Sequence, residues 1–311
     1  MNATVSSAVI AISNQDRSHR ARLIAGWVFA ILLVVALAAY GYDYYTLSSA
    51  ARPFSPKHAV LRPSGTIGLK LGFLGLGMFL AIFVYPLRKK WAWLGQQGSA
   101  RHWLDFHVLL GVSAPFVIAF HSSFKFHGFA GIAFWIMLSV SLSGLIGRYL
   151  YSQIPRRVNA AEISMAELQE IQTQLSLQLA QQRLLPQTDL RSLLRLPSKE
   201  SVSRLPMPIA LVYMMFLDIA RVFRVASIRR HALPFGQKLT TLAGFLPTSN
   251  IGLERAMLLA REEASLAKRV LFLSRSQQVF HLWHVVHKPF SYSFAVLALI
   301  HIVVVMMMGY F

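Results

Sequence analysis

Five apolar runs long enough to cross a bilayer mark out the chain, near 21–42, 66–85, 103–121, 129–151 and 279–309. A hydrocarbon core of about 30 Å takes about 20 residues of helix at 1.5 Å rise, and each run meets that length. The last is longer than needed, so its first turns are expected in the interface. Tyr42, Tyr44 and Tyr45 at one side, and Trp91, Trp93 and Trp103 at the other, fit aromatic belts. Gly68, Gly72, Gly75 and Gly77 give the second run a small-residue face, suited to close helix packing or to a flat ring lying against the backbone. The expected fold is an all-α membrane protein of five transmembrane helices, in which runs two to five form a four-helix bundle.

The polar stretches divide the rest. Residues 1–20 are expected to be a cytoplasmic N-terminal tail, 21–151 the first four helices, 152–276 a basic and mostly helical cytoplasmic segment, and 277–311 the fifth helix. In the long segment Ser164 and Glu167 have capping-box spacing ahead of an amphipathic pattern at Leu168, Ile171 and Leu175. Pro186 and Pro197 then break it. The stretch Leu205–Leu217 is apolar but too short to span, and four arginines from Arg221 to Arg230 follow it. An apolar half joined to a basic half predicts a helix on the membrane surface over 205–228. A further amphipathic helix is expected from Leu253 to Ser274, leading towards the last span.

Composition agrees with a lipid environment: 55% of the 311 residues are hydrophobic and 14% charged, against about 25% charged in a soluble domain. The formal net charge of +19 brings nucleic acid into view. The basic residues, however, flank the apolar runs and fill the 152–275 segment, where 17 Lys and Arg face 9 Asp and Glu. They form no tract interleaved with aromatics, so nucleic acid is not an expected partner and membrane lipid is. Arg17, Arg20 and Arg22, the cluster Arg88–Lys90, and Arg156 and Arg157 place the N-terminus in the cytoplasm of a bacterial-type inner membrane. Arg52, Lys57 and Arg62 on the opposite loop weaken the contrast. Cysteine is absent, which excludes disulfides, thiolate-held zinc, iron–sulfur clusters and covalently attached haem c.

Histidines inside spans are costly and mark function. The third run holds His107 and His121, the fifth His287 and His301, and both pairs are 14 residues apart. Fourteen residues turn a helix to within about 40° of eclipsed and advance it roughly 21 Å. With the two helices parallel, His107 lies level with His287 and His121 with His301. Each level then offers two imidazoles, which is what an iron ligated on both faces of a porphyrin requires. Tetrahedral zinc would want four ligands. His284 is the substitute for His287, although its phase to His301 is poorer. Gly111, one turn after His107, would let a flat ring lie close or let helices pack. Arg148 and Lys288 would pair with propionates of the His107-level haem or reach lipid phosphates. Asp105 is a candidate proton carrier, and His102 and His127 stand near the two interfaces.

The His107–His121 pair, the run HLWHVVHKPF at 281–290 and the closing LIHIVVVMMMGY at 299–310 resemble a bis-histidine di-haem b-type membrane cytochrome, the class of ferric-reductase-like proteins and respiratory cytochrome b subunits. The resemblance covers roughly 65–151 and 277–311. It implies two haem b groups as cofactors and electron transfer as activity, with quinone or quinol and a redox subunit as partners. The chain departs from ferric reductases in having no flavin or nicotinamide domain, which favours an electron-transfer subunit over a self-contained enzyme; no catalytic residue is assigned. A ferric-reductase-like protein and a haem-free, histidine-lined metal or proton transporter stay open as alternatives.

Overall fold

A computed structural model describes residues 2–154, 170–174, 176–177, 194–232, 244–248 and 250–309. The elements are α1 (Asn2–Tyr45), a 3-10 turn (Arg52–Phe54), α2 (His58–Leu61), α3 (Thr66–Arg88), α4 (Ala92–Gly95), α5 (Ala100–His121), α6 (Gly128–Gln153), α7 (Lys199–Arg204), α8 (Met207–Ala232) and α9 (Ile251–Met307). Among the described residues there is no strand. Five helices, α1, α3, α5, α6 and α9, are long and apolar enough to cross a membrane. The chain is therefore an all-α, multi-pass membrane protein.

The chain divides into two units, one of Met1–Arg148 with His284–Phe311, the other of Tyr149–Trp283. In the first, α3 and α5 are the most closely packed pair and run antiparallel. The small-residue face of α3 serves that contact: a Cβ on Gly72 would meet the His121 ring at 2.8 Å, and one on Gly75 would collide with Ile118. Gly26 of α1 does the same against Leu109, at 2.6 Å. Leu37 of α1, Leu71 and Met78 of α3, Ala114, Val117 and Phe120 of α5, and Phe134 and Met137 of α6 make one apolar core. Burying each large side chain of this set contributes about 1.5–3 kcal/mol in water-transfer terms; in lipid, close packing and hydrogen bonds carry more of the load.

The His121 end is tied down by a buried arginine. Arg52 donates to the carbonyls of Leu47 at 3.1 Å, Tyr45 at 2.9 Å and Ser123. These carbonyls are freed where α1 and α5 stop. Ser123 and Phe124 take φ of 50° and 58° to reverse the chain, and the Ser123 hydroxyl donates to the Leu61 carbonyl at 2.7 Å. Lys57 is likewise engaged, with Asp43 at 2.6 Å.

In the second unit, α8 turns Ala210, Met214 and Leu217 onto Val202 of α7 and Phe272 of α9, and Val225 and Ile228 onto Leu253, Ala256 and Met257. Asp218 is held there by Lys268 at 2.5 Å, the Tyr149 hydroxyl at 2.8 Å and Arg221 at 3.4 Å.

Helix bounds differ from the expected ones in two places. α1 begins at Asn2, within the stretch expected as a tail, and is packed from His19 onward. The amphipathic stretch 253–274 and the last span form one helix, because no Pro or Gly interrupts 275–279. The capping box at Ser164 and Glu167 and the break at Pro186 lie outside the described residues.

Candidate cofactor site

The four intramembrane histidines all belong to the first unit, and their second nitrogens explain their arrangement. His107 Nδ1 lies 3.0 Å from the Ile82 carbonyl and His121 Nδ1 2.8 Å from the Gly68 carbonyl. A carbonyl oxygen only accepts, so in each ring Nδ1 carries the proton and donates it. The lone pair is then on Nε2, the nitrogen left to a metal. Ile82 and Gly68 are themselves 14 residues apart on α3, so the antiparallel helix repeats the spacing of the histidines it orients.

Pro86 makes the first of these acceptors available. It stands four residues after Ile82 inside α3. A proline has no N–H to give to the carbonyl four residues back, and His107 supplies the missing donor.

On α9, His287 Nδ1 lies 2.8 Å from the Ser143 hydroxyl of α6. Ser143 spends its one proton on the Val140 carbonyl, also at 2.8 Å. With its proton on that carbonyl, its oxygen accepts from His287 Nδ1, and the ring then has the same tautomer as the other two. Gly144 stands beside it, where a Cβ would make an ordinary contact with the His287 ring at 3.8 Å.

His107 lies within electrostatic reach of His287, and His121 within reach of His301. His287 makes a bond to α6, and His284 is a half-buried neighbour on the same helix. Midway between, Phe294 follows His287 by seven residues and precedes His301 by seven, steps that keep all three on one face to within about 20° each. Phe294 meets Phe79 of α3 edge-on, centroids 5.6 Å apart, and packs on the core. An apolar layer therefore separates the two levels.

The donor set fits a haem at each level. The imidazoles come in twos; among the described residues no cluster of three or more His, Asp or Glu converges as an ion site. Gly111 is half-buried, yet a Cβ on it would meet nothing within 4 Å, so α5 leaves open space one turn from His107 where a ring can lie.

Other expected residues have other partners. Arg148, expected at a propionate or a lipid phosphate, donates to Asp105 at 2.7 Å. Lys288 is exposed. Asp105 also meets His19 Nε2 at 3.1 Å. His19 is stacked on His102, centroids 3.7 Å apart, and is 7% exposed. Nothing in the pattern around His19 marks it; the signal is Asp105, an acid at the edge of a span that needs a basic partner. His127 is exposed.

Helices and site together define a multi-pass helical membrane protein with paired intramembrane imidazoles. No family model, curated protein or solved structure matches the chain.

Proposed function

We propose that this protein carries electrons across a membrane on two b-type haems, His107 and His287 ligating one, His121 and His301 the other. The observation that carries the reading is the hydrogen bonding of His107 and His121 to carbonyls, which leaves Nε2 the nitrogen for a metal, with His287 held at its Nδ1 by Ser143. Held by these two pairs of imidazoles, the haems would supply one-electron exchange and would leave no place for oxygen to bind. The chain's own residues do the rest. Carbonyls of α3 and Ser143 hold ring orientation, Phe79 and Phe294 keep water from the space between levels, and Gly111 gives a ring room. Lys288 stands at the rim of the His107 level, where it meets a propionate or a lipid phosphate.

Levels roughly 21 Å apart span two-thirds of a hydrocarbon core of about 30 Å. The protein then acts as the membrane cytochrome subunit of a quinone-linked oxidoreductase, with quinol or a cytoplasmic redox subunit as donor. The N-terminus faces the cytoplasm of a bacterial-type inner membrane.

The test is a reduced-minus-oxidised spectrum of the purified protein with haem stoichiometry. Two haems per chain are expected, with one lost in His107→Ala and the other in His301→Ala. A colourless preparation that binds zinc, or moves protons, would favour a transporter instead.

A further inference from the structure

Helix α8 is amphipathic in an unusual sense: one face is buried in the second unit, and the opposite face is apolar and bare. Ile209, Val212, Phe216, Ile219 and Phe223 are 53–65% exposed. Their spacing of three and four residues puts them on one face, in a stripe of roughly 21 Å. The buried side is complete without them, formed by Ala210, Met214, Leu217, Val225 and Ile228. Phe245, 48% exposed, meets Phe223 edge-on at 5.9 Å and widens the stripe at its basic end. A soluble surface rarely leaves so much contiguous apolar area open.

Charge says what covers it. The sequence of α8 holds four arginines and a single acid, Asp218, and that carboxylate is taken up by Lys268, Arg221 and the Tyr149 hydroxyl. Arg230 and His231 are exposed at the end of the helix. Arg221 and Arg229 are engaged by Asp218 and Glu254, and Arg230 is the exposed cation beside the apolar side chains. Connectivity adds a second argument: the chain enters this unit from α6 and leaves it through α9, both apolar enough to cross a membrane. A lipid surface is thus within reach of the stripe.

We propose that the exposed face of α8 lies in the headgroup zone of the membrane and prefers anionic phospholipid. The apolar stripe enters the acyl boundary while Arg230 meets phosphates, as interfacial helices do. This rests on the multi-pass reading and is independent of the haem reading.

Because the chain has no cysteine, single labels report cleanly. Val212→Cys, Phe216→Cys and Phe223→Cys carry a nitroxide in the full-length protein, reconstituted in nanodiscs of phosphatidylcholine with or without phosphatidylglycerol. Glu262→Cys, at an exposed position of the same unit, is the aqueous reference. Collision rates with oxygen, which partitions into lipid, are compared with those of a water-soluble nickel chelate. The oxygen-to-nickel ratio is expected severalfold above the reference at all three positions, and higher with phosphatidylglycerol. Ratios equal to the reference overturn the proposal. Shielding from both reagents overturns it in favour of a protein partner or a second copy, and an unchanged ratio on adding phosphatidylglycerol overturns the anionic preference.

Discussion

At the scale of single residues, the histidines are defined as much by their Nδ1 partners as by their positions. A hydrogen bond that fixes the tautomer of a metal-ligating imidazole is worth 10- to 100-fold in affinity when removed, roughly. Ser143→Ala deletes the acceptor of His287 and leaves every helix contact in place. Haem retention at the His107 level is expected to fall by about that factor, read by titration of the apoprotein, with the His121 level unchanged. Pro86→Ala acts on the other ligand. Restoring an N–H to position 86 gives Ile82's carbonyl a second donor, weakens its bond to His107 and makes that imidazole a poorer electron donor. The reduction potential of one haem is expected to rise while the other stays put, as read by redox titration. None of these partners was legible beforehand: the sequence spacing of His107, His121, His287 and His301 could be read, but backbone carbonyls have no letter, and Ser143 looked like any hydroxyl in a span. Pro86 was the available clue, a proline four residues past a carbonyl facing a polar ring.

At the scale of elements, the antiparallel α3–α5 pair carries the site, and glycine makes it possible. A side chain at Gly72 must displace the His121 ring, which stands 2.8 Å from the Cβ position, whereas one at Gly77 meets nothing within 4 Å. Gly72→Val is expected to lose the His121-level haem selectively, and Gly77→Val to keep both; absorbance per chain separates the two outcomes. Arg52→Ala leaves carbonyls at the ends of α1 and α5 without their charged donor. Hydrogen bonds to charged groups contribute about 1.5–3 kcal/mol each, so a marked fall in Tm is expected by differential scanning fluorimetry in detergent. The three middle spans, and the far ends of the first and last, were visible in the sequence to within a few residues, because hydropathy over 20 positions leaves little choice. The join of 253–274 to the last span was missed, since amphipathic and fully apolar patterns read as separate elements even where the backbone runs on. The role of the glycines was half visible: their common face was evident, but not that one of them would sit under an imidazole.

At the scale of the whole molecule, two units with separate cores share one chain. The first holds four imidazoles in its spans and the His19–Asp105–Arg148 cluster beside α5. The second is basic and shows an apolar stripe on α8. The account stands on ligation: four imidazoles, two levels, an iron at each. Electron paramagnetic resonance of the oxidised, purified protein reads that ligation directly. Two low-spin ferric centres per chain with bis-imidazole character are expected, one of them converting to high spin when His287 is replaced and the other when His121 is. A protein without haem, or with a single haem indifferent to both substitutions, would contradict it.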